Sequence, residues 1–319
     1  MIRAPSNAGG DAGWKIRDGW IPLDRPRVMG ILNLTPDSFS DGGELAGLDH
    51  ALRRAEVLLE EGAWILDLGG ESTRPGALEV PADEQIRRVV PAIEAIARRW
   101  SVAISIDTRS TVVARAALDA GAHIVNDVSG FTFDSELPDV VARTGAGVVL
   151  MHMRGTPATM QRRTSYEMLL PDIMRELGRS LERAEGAGVD RASIVLDPGI
   201  GFSKTTEQSL LVLRELKTLL QLGPPLLVGP SRKSFLGEIL DRPPRERVTG
   251  TAAACVMAYL GGARVFRVHD VRPTLEALQV AVAVAEADLQ AGVGVKEAMD
   301  PGEDRRVGLT PWRKTRTTR

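Results

Sequence analysis

Side chains able to bind ligands stand where the apolar runs of this sequence end. Carboxylate and amide groups follow most of the earlier runs, and cationic groups follow the last two. In chain order the set comprises Asn33, Thr73 with Arg74, Asp107, Asn126 with Asp127, Met151 with His152, Asp197, Ser231 with Arg232 and Lys233, and Arg267 with His269. The set holds no evident nucleophile, so the chemistry it favours is ligand binding and the stabilisation of charge.

Two cationic groups, Arg267 and His269, are two residues apart in an apolar run. Residues at this spacing project from the same face of a β-strand. Because a buried charge needs a partner, the pair favours an anionic ligand. The stretch from Ser231 to Lys233 can present three donors to an anion at a helix N-terminus, although it can equally be a solvated helix start.

Some of these residues also have purely structural interpretations. Asp107 precedes a helical pattern and could serve only as its N-cap. His152 alone is more typical of a satisfied structural histidine, and the sequence lacks the His and Cys spacing of a zinc site. It also lacks a phosphate-binding G-x-x-x-x-G-K-[ST] loop, a G-x-G-x-x-G behind a strand and a nucleophile elbow, which argues against three common chemistries.

A repeated pattern should position these groups: an amphipathic stretch ends at glycine, and an apolar, β-branched run follows. It recurs in EEGAWILDL, DAGAHIVNDV, TGAGVVLMHM, GAGVDRASIVLDPG and LGGARVFRVHDV. Glycine accepts the left-handed conformation that closes a helix, so the pattern predicts helix ends at Gly62, Gly121, Gly145, Gly188 and Gly262. Together with the runs at 28–34, VAISID and PPLLVGPS, eight candidate strands alternate with eight helical stretches, the last over 273–290.

Strands that alternate with helices imply parallel pairing and right-handed crossovers. Eight such units in about 250 residues are the count of a (β/α)8 TIM barrel, with an open doubly wound sheet as the alternative. In a barrel, the C-terminal ends of the strands converge on one face, so the ligand-binding groups should meet there. We therefore predict an α/β fold in which residues 26–290 form one barrel domain.

The two flanks lack this pattern. Residues 1–25 contain glycines and prolines without a sustained period, and we interpret them as an arm or a short hairpin that covers the barrel bottom. Residues 291–319 are polar, interrupted by Pro301 and Pro311, and basic at the end. Such a run is more typical of a solvated, flexible tail than of an RNA or partner contact.

Composition limits the class of protein. The 319 residues are 43% hydrophobic and 26% charged, with a formal net charge of -2, so no global field favours nucleic acid or an anionic membrane. The single cysteine, Cys255, excludes an intramolecular disulfide framework and is typical of a reducing compartment. No segment approaches the roughly 20 apolar residues of a membrane-spanning helix. We expect a soluble cytoplasmic protein.

Eight segments carry a resemblance to a known family. In order they are MGILNLTPDSFSDGG, DLGGESTRPGA, SIDT, NDVSG, LMHM, LDPGIGF, GPSRKSFLG and RVHDV. Over residues 28–289 the chain resembles the dihydropteroate synthases, the folate-pathway enzymes that sulfonamides inhibit. The resemblance implies that 4-aminobenzoate displaces pyrophosphate from 6-hydroxymethyl-7,8-dihydropterin diphosphate, with Mg²⁺, to give 7,8-dihydropteroate. It also implies a homodimer.

The resemblance places a pterin among the strand-end residues. A pterin edge presents adjacent N–H donors that one carboxylate can accept, so Asp197 is the expected anchor, with Asn126 and Lys233 on the remaining groups. The similarity adds Asp107, Met151 and Gly201 to the pterin-binding set. Asp107, Asp197 and Lys233 are the expected catalytic residues. The two carboxylates would stabilise the pterin cation that develops as the carbon–oxygen bond breaks.

The other ligands are expected beside the pterin. The resemblance implies pyrophosphate binding by Asn33, Thr73, Arg74, Arg267 and His269, and Asn33 matches the metal-contacting position of the family. It implies 4-aminobenzoate binding by Thr73, Arg74, Pro75, Phe202, Ser231, Arg232 and Lys233. The polar loop after Asn33 is long for a connector, and we expect it to be mobile and to close over pyrophosphate. Its members include Thr35, Pro36, Asp37 and Phe39.

One departure and two alternatives accompany the resemblance. Pro230 stiffens the loop beside the expected 4-aminobenzoate site, where the family usually has another residue, so the affinity for inhibitors is in doubt. A pterin-dependent methyltransferase acting with a corrinoid protein uses a related barrel, but it has no use for cationic pyrophosphate ligands. A non-catalytic pterin-binding paralogue is the second alternative, and the intact motifs on all strands argue against it.

Overall fold

A short hairpin is the first element of the computed structural model, which describes residues 13–34, 43–72, 76–77 and 79–287. Strands β1 (Gly13–Ile16) and β2 (Gly19–Pro22) pair in antiparallel fashion. Trp14 and Ile21 are fully buried, and the Trp14 Nε1–H donates to the Ser193 carbonyl at 2.8 Å. Because Ser193 directly precedes a barrel strand, the hairpin covers the N-terminal end of the barrel.

Eight apolar runs form one parallel sheet. Its strands are β3 (Arg27–Asn33), β4 (Ile65–Gly69), β5 (Ala103–Asp107), β6 (Ile124–Asp127), β7 (Gly147–Met151), β8 (Ile194–Asp197), β9 (Leu227–Val228) and β10 (Val265–Val268). They follow the order β8-β7-β6-β5-β4-β3-β10-β9. A parallel bridge between Leu196 and Leu226 brings the two outermost strands together. The predicted TIM barrel is therefore confirmed against the open sheet.

The helices lie outside the sheet. They are α1 (Gly43–Glu60), α2 (Ala82–Arg99), α3 (Thr111–Asp119), α4 (Leu137–Thr144), α5 (Leu169–Gly186), α6 (Thr206–Arg214), α7 (Leu216–Leu219), α8 (Ser234–Leu240), α9 (Val248–Leu260) and α10 (Val271–Ala285). In the described chain, none of them combines the length and the apolar character needed to cross a membrane. The five glycines predicted to follow helices all have positive φ, between 65° and 113°, which confirms that reading.

The helix count differs from the expected eight. In the described chain, both the β8–β9 and the β9–β10 connections contain two α-helices. Between α8 and α9 the chain contains Pro243 and Pro244, and proline at such positions lacks the N–H that a continuing helix requires. Between α6 and α7, Glu215 leaves the helical region, with φ -99° and ψ 21°.

Alternation along the strands divides the barrel interior into two layers. Ile65, Ala103, Ile124, Val195 and Val265 pack together with the hairpin in the lower layer. Two residues further along each strand, or four in β5, the same face presents polar groups, which are Asp67, Asp107, Asn126, Asp197 and Arg267. The opposite faces of the strands pack on the helices in the main core. The sequence pattern thus places the polar groups inside the barrel at its C-terminal end.

Candidate active site

Arg267 connects two carboxylates in the polar layer. Its Nε donates to Asp67 Oδ2 and its Nη2 donates to Asp107 Oδ2, each at 2.6 Å. Burial alone would lower the pKa of Arg267, but the two carboxylates raise it above its usual range. Burial also raises the pKa of Asp107 to about 7, against the opposing charge of Arg267. The three groups form one charged unit on β4, β5 and β10.

Each of these carboxylates has an unpartnered oxygen. Asp67 Oδ1 and Asp107 Oδ1 are buried and accept no hydrogen bond from any described residue. Asp67 Oδ2, in contrast, also accepts from the Asn126 amide at 3.3 Å. Buried polar atoms are almost always satisfied in native proteins, so these two oxygens indicate a ligand that brings N–H donors, a cation or ordered water.

Asp197 and Lys233 form the opposite side of the layer. Asp197 Oδ1 accepts the Gly199 N–H at 2.7 Å. Burial raises the pKa of Asp197, and the ammonium group of Lys233 is the main opposing influence. Lys233 Nζ donates to the Ile200 carbonyl and lies 4.3 Å from the centre of the Phe202 ring. Desolvation lowers the pKa of Lys233 to about 8.

The residues between β9 and α8 are held by the end of β10. Ser231 Oγ accepts the His269 N–H at 3.2 Å and lies 3.0 Å from His269 Nδ1. The Arg232 guanidinium donates twice to Asp270, at 2.9 and 2.6 Å. Ser231 and Arg232, which could present donors to an anion, are therefore hydrogen-bonded within the protein.

The structure brings together most of the described site residues that the sequence predicts. Asp107, Asn126 and Arg267 share one carboxylate-rich unit, and Gly201, Phe202 and Lys233 pack beside Asp197. Met151 pairs with Asp197 in the sheet, and Asn33 pairs with Gly69 at the end of β4. Seven predicted residues lie outside the described chain: Thr35, Pro36, Asp37, Phe39, Thr73, Arg74 and Pro75.

Two structural interpretations can now be decided. Asp107 is not an N-cap, because α3 begins after Ser110 and the Asp107 carboxylate contacts Arg267. His152 is a satisfied buried histidine, as expected, with hydrogen-bond partners at both ring nitrogens. Arg267 has Asp67 and Asp107 as partners for its charge, so its burial alone is no argument for an anionic ligand, and its role in pyrophosphate binding stays a prediction.

Sequence reasoning missed two charged residues. Asp67 lies within the fully buried run of β4, and a carboxylate at the inward spacing before Gly69 was a signal that could have identified it. Lys204 follows the turn after β8 and is buried, although nothing in the sequence distinguishes it from an exposed lysine. Asp67 pairs with a residue far along the chain, and Lys204 contacts groups across a turn.

Comparison with known proteins agrees with this geometry. The chain matches the family model described as pterin binding enzyme over residues 29–269. It is 50% identical over 261 residues to a dihydropteroate synthase of Synechocystis, covering 82% of this chain and 90% of the relative. A crystal structure of Yersinia pestis dihydropteroate synthase with a sulfonamide drug complex matches 86% of this chain and 100% of its own, with a TM-score of 0.81 and 44% identity. A Xanthomonas albilineans dihydropteroate synthase with 4-aminobenzoic acid matches 88% and 100%, with a TM-score of 0.82 and 42% identity.

Proposed function

The chain belongs to the pterin-binding enzyme family, among the dihydropteroate synthases, and from this premise we propose how its residues perform the reaction. The enzyme condenses 6-hydroxymethyl-7,8-dihydropterin diphosphate with 4-aminobenzoate to give 7,8-dihydropteroate and pyrophosphate. The observation that supports the proposal is the buried carboxylate layer at the C-terminal end of the barrel. Its unpartnered oxygens, Asp67 Oδ1 and Asp107 Oδ1, can accept N–H donors from a flat heterocycle.

The pterin binds with its N–H edge toward Asp197. Asn126 and Lys233 contact the remaining pterin groups, and Met151 and Gly201 line the same space. As the carbon–oxygen bond breaks, its electron pair leaves with pyrophosphate and positive charge spreads into the pterin ring. Fixed carboxylates stabilise this cation more than the neutral ground state. The amine of 4-aminobenzoate then forms the carbon–nitrogen bond and releases a proton, and an aniline needs no strong base for this step.

The diphosphate binds beside the carboxylate layer. Asn33, Arg267 and His269 supply its contacts from the described chain, and Thr73 and Arg74 are the other predicted ligands. Arg267 is already paired with carboxylates, so its proposed role is to link the leaving group electrostatically to Asp107 rather than to act as an isolated anion ligand.

Mg²⁺ is the proposed cofactor. The described residues contain no group of three His, Cys, Asp or Glu side chains that could hold a metal by themselves. Mg²⁺ commonly keeps several waters and binds through one or two protein oxygens together with substrate phosphates. The donor chemistry fits, because Asn33 ends β3 at the barrel mouth with an amide oxygen, and Mg²⁺ takes oxygen ligands. Bound there, Mg²⁺ would supply positive charge to pyrophosphate as the leaving group.

4-Aminobenzoate and sulfonamides should bind this enzyme well only when pyrophosphate and Mg²⁺ are present. The same loop, at Thr73 and Arg74, is predicted to contact both pyrophosphate and 4-aminobenzoate, so the first ligand completes the site for the second. We expect at least tenfold tighter sulfonamide binding with Mg²⁺ and pyrophosphate, which corresponds to about 1.4 kcal/mol or more. Isothermal titration of sulfamethoxazole with both, with Mg²⁺ alone and with neither measures this coupling. Equal affinities in the three titrations would contradict it.

A homodimer is the proposed assembly. Helices α8, α9 and α10 expose large apolar side chains, and α9 contacts both neighbours. The exposed residues are Ile239, Leu240, Met257, Leu260, Val280 and Val284. Exposed apolar side chains on neighbouring helices are typical of an interface between subunits. That the partner on this surface is a second copy of the same chain is what the family resemblance implies.

Sedimentation velocity should therefore give a dimer for the wild type. Val284→Glu, at a side chain that is 71% exposed, should shift the protein toward monomer because a carboxylate would be buried in the interface. Val112→Glu on the distant helix α3 is the matched control, with 60% exposure, and it should remain dimeric. A monomeric wild type, or dimers in both variants, would refute this assembly.

Complementation of a folate-requiring strain that lacks its own dihydropteroate synthase tests the function in cells. The wild type should restore growth, and Asp197→Asn should not. Wild-type protein that is expressed and folded but does not restore growth would favour a non-catalytic paralogue. Pyrophosphate release by the purified enzyme separates this function from a pterin-dependent methyltransferase, which forms no pyrophosphate.

The cellular location remains a prediction. It rests on Cys255, which is free and fully buried, and on the rarity of disulfides in reducing compartments. A cytoplasmic location is consistent with a free, buried cysteine.

A further inference from the structure

Lys204 is buried against the turn that follows Asp197. Its ammonium group lies 2.9 Å from His152 Nδ1, 3.0 Å from the Gly199 carbonyl and 3.1 Å from the Phe202 carbonyl. In the described part of the chain, no carboxylate oxygen forms an ion pair with it. An ammonium group has three donors, and three acceptors surround this one, so the contacts account for every proton of a charged lysine.

The same contacts define the state of His152. Its Nδ1 accepts from Lys204, so its proton lies on Nε2, which donates to Glu176 Oε2 at 3.0 Å. Burial, followed by the charge of Lys204, lowers the pKa of His152 to about 4, which agrees with a neutral ring. Arg154 also contacts Glu176, at 3.0 Å through its Nε. A continuous hydrogen-bonded chain therefore runs from buried Lys204 through buried His152 to the half-buried Glu176 on helix α5.

The turn that Lys204 holds is the one that supports the pterin site. Gly199 accepts from Lys204 through its carbonyl and donates to Asp197 Oδ1 through its N–H. Its φ is +67°, and a Cβ there would lie 2.1 Å from the His152 carbonyl oxygen, so only glycine fits. Lys233 donates to Ile200 and lies over Phe202 in the same turn. Without Lys204, the Gly199 carbonyl keeps only the Phe202 N–H as a donor and the Phe202 carbonyl keeps only the Ser203 hydroxyl, so the turn loses two of its hydrogen bonds.

The charge of Lys204 also acts on Asp197. The charged groups that influence Lys204 are Asp197, Lys233, Glu176 and Arg154, and burial lowers its pKa to about 7. Asp197 in turn is influenced by Lys233, Lys204 and Arg267, which all favour its ionised form against burial. Lys204 thus acts on Asp197 from a buried position, in which its three contacts are all to groups of the protein.

We propose that Lys204 is a positioning residue for pterin binding, which fixes the turn from Gly199 to Phe202 and keeps the Asp197 carboxylate ionised and aimed at the ligand. The inference rests on the proposed role of Asp197 as the pterin anchor. Lys204 would then affect both the affinity for the pterin and the pH dependence of pterin binding.

Lys204→Met tests the proposal, because methionine keeps much of the volume and removes the charge and the donors. Binding of 6-hydroxymethylpterin is measured by calorimetry between about pH 5 and pH 7. Loss of a positive charge raises the pKa of Asp197, so the variant should lose pterin binding at a higher pH than the wild type does. We expect at least tenfold weaker binding near pH 6 and an acid midpoint about one pH unit higher. Lys217→Met on the exposed side of α7 is the matched control, and it should bind as the wild type does.

A merely structural lysine would give a different result. It would lower the melting temperature of Lys204→Met but leave the acid midpoint of pterin binding unchanged in the folded protein. An acid midpoint equal to that of the wild type in the folded variant overturns the proposal.

A second measurement uses the wild type and does not depend on the variant folding. Nitrogen-15 NMR of the four histidines reports their ring protonation, with assignment by single His50, His123 and His269 variants. His152 Nδ1 should be unprotonated near neutral pH, and its shift should change when 6-hydroxymethylpterin binds. A protonated Nδ1, or a His152 shift that is the same with and without 6-hydroxymethylpterin, overturns the proposal. Turnover is assayed separately, so a failure of the proposed reaction is distinguished from a failure of this inference.

Discussion

Arg267→Leu should lower the free energy of unfolding by about 3 to 5 kcal/mol, because it leaves the buried carboxylates of Asp67 and Asp107 without their cation. Both carboxylates are 6% exposed or less, and each contacts the guanidinium at 2.6 Å. Urea unfolding at neutral pH measures the change. Arg87→Leu is the control, since Arg87 forms exposed ion pairs with Asp83 and Glu84 on α2, and it should cost less than about 1 kcal/mol.

The pH dependence of Arg267→Leu has a defined sign. The pKa of Asp107 in the folded wild type is about 7, above the value of about 3.9 for an unfolded aspartate, so the folded state binds more protons between these values. Stability from this group therefore falls as the pH rises through that window. Removing Arg267 raises the pKa of Asp107 further, so the variant should lose more stability relative to wild type near pH 8 than near pH 5. A deficit that is independent of pH would contradict the proposed pairing.

Asp197→Asn should weaken binding of 6-hydroxymethylpterin by about 2 to 4 kcal/mol, or roughly 30-fold to 1000-fold. Gly199 N–H donates to Asp197 Oδ1 at 2.7 Å, so the asparagine oxygen will keep that bond and turn its amide toward the pterin. The N–H of the asparagine amide and an N–H of the pterin then face each other, at the position where the wild-type carboxylate accepts the pterin N–H. Asp190→Asn, at the N-terminal end of β8 beside Lys15, is the control and should leave the affinity unchanged. Wild-type affinity in Asp197→Asn would eliminate the proposed anchor.

The fold was predictable because local and global signals agree. Glycines such as Gly62 and Gly188 mark helix ends through a backbone conformation that other residues avoid, and each precedes an apolar run. Period-two alternation then places a residue such as Asp197 inside the barrel once the strand before it is recognised. The break between α8 and α9 also has a sequence signal, because Pro243 and Pro244 are adjacent.

The pairing of charges could not be predicted in the same way. Asp67 and Arg267 are 200 residues apart, and no local pattern specifies that their side chains meet. Sequence reasoning therefore explained Arg267 by a ligand when its partners were carboxylates of the protein. Lys204 shows the same limit, since its burial depends on the shape of a turn in which Gly199, Gly201 and Ser203 all have positive φ.

The most direct test of the proposed reaction is a turnover assay that measures pyrophosphate and 7,8-dihydropteroate together. The wild type with Mg²⁺ should form the two products in equal amounts, and only when the pterin diphosphate and 4-aminobenzoate are both present. Asp197→Asn should lose most of this activity while keeping a wild-type circular dichroism spectrum. Pyrophosphate release that does not depend on 4-aminobenzoate, or no dihydropteroate from folded wild-type enzyme, would contradict the proposed reaction.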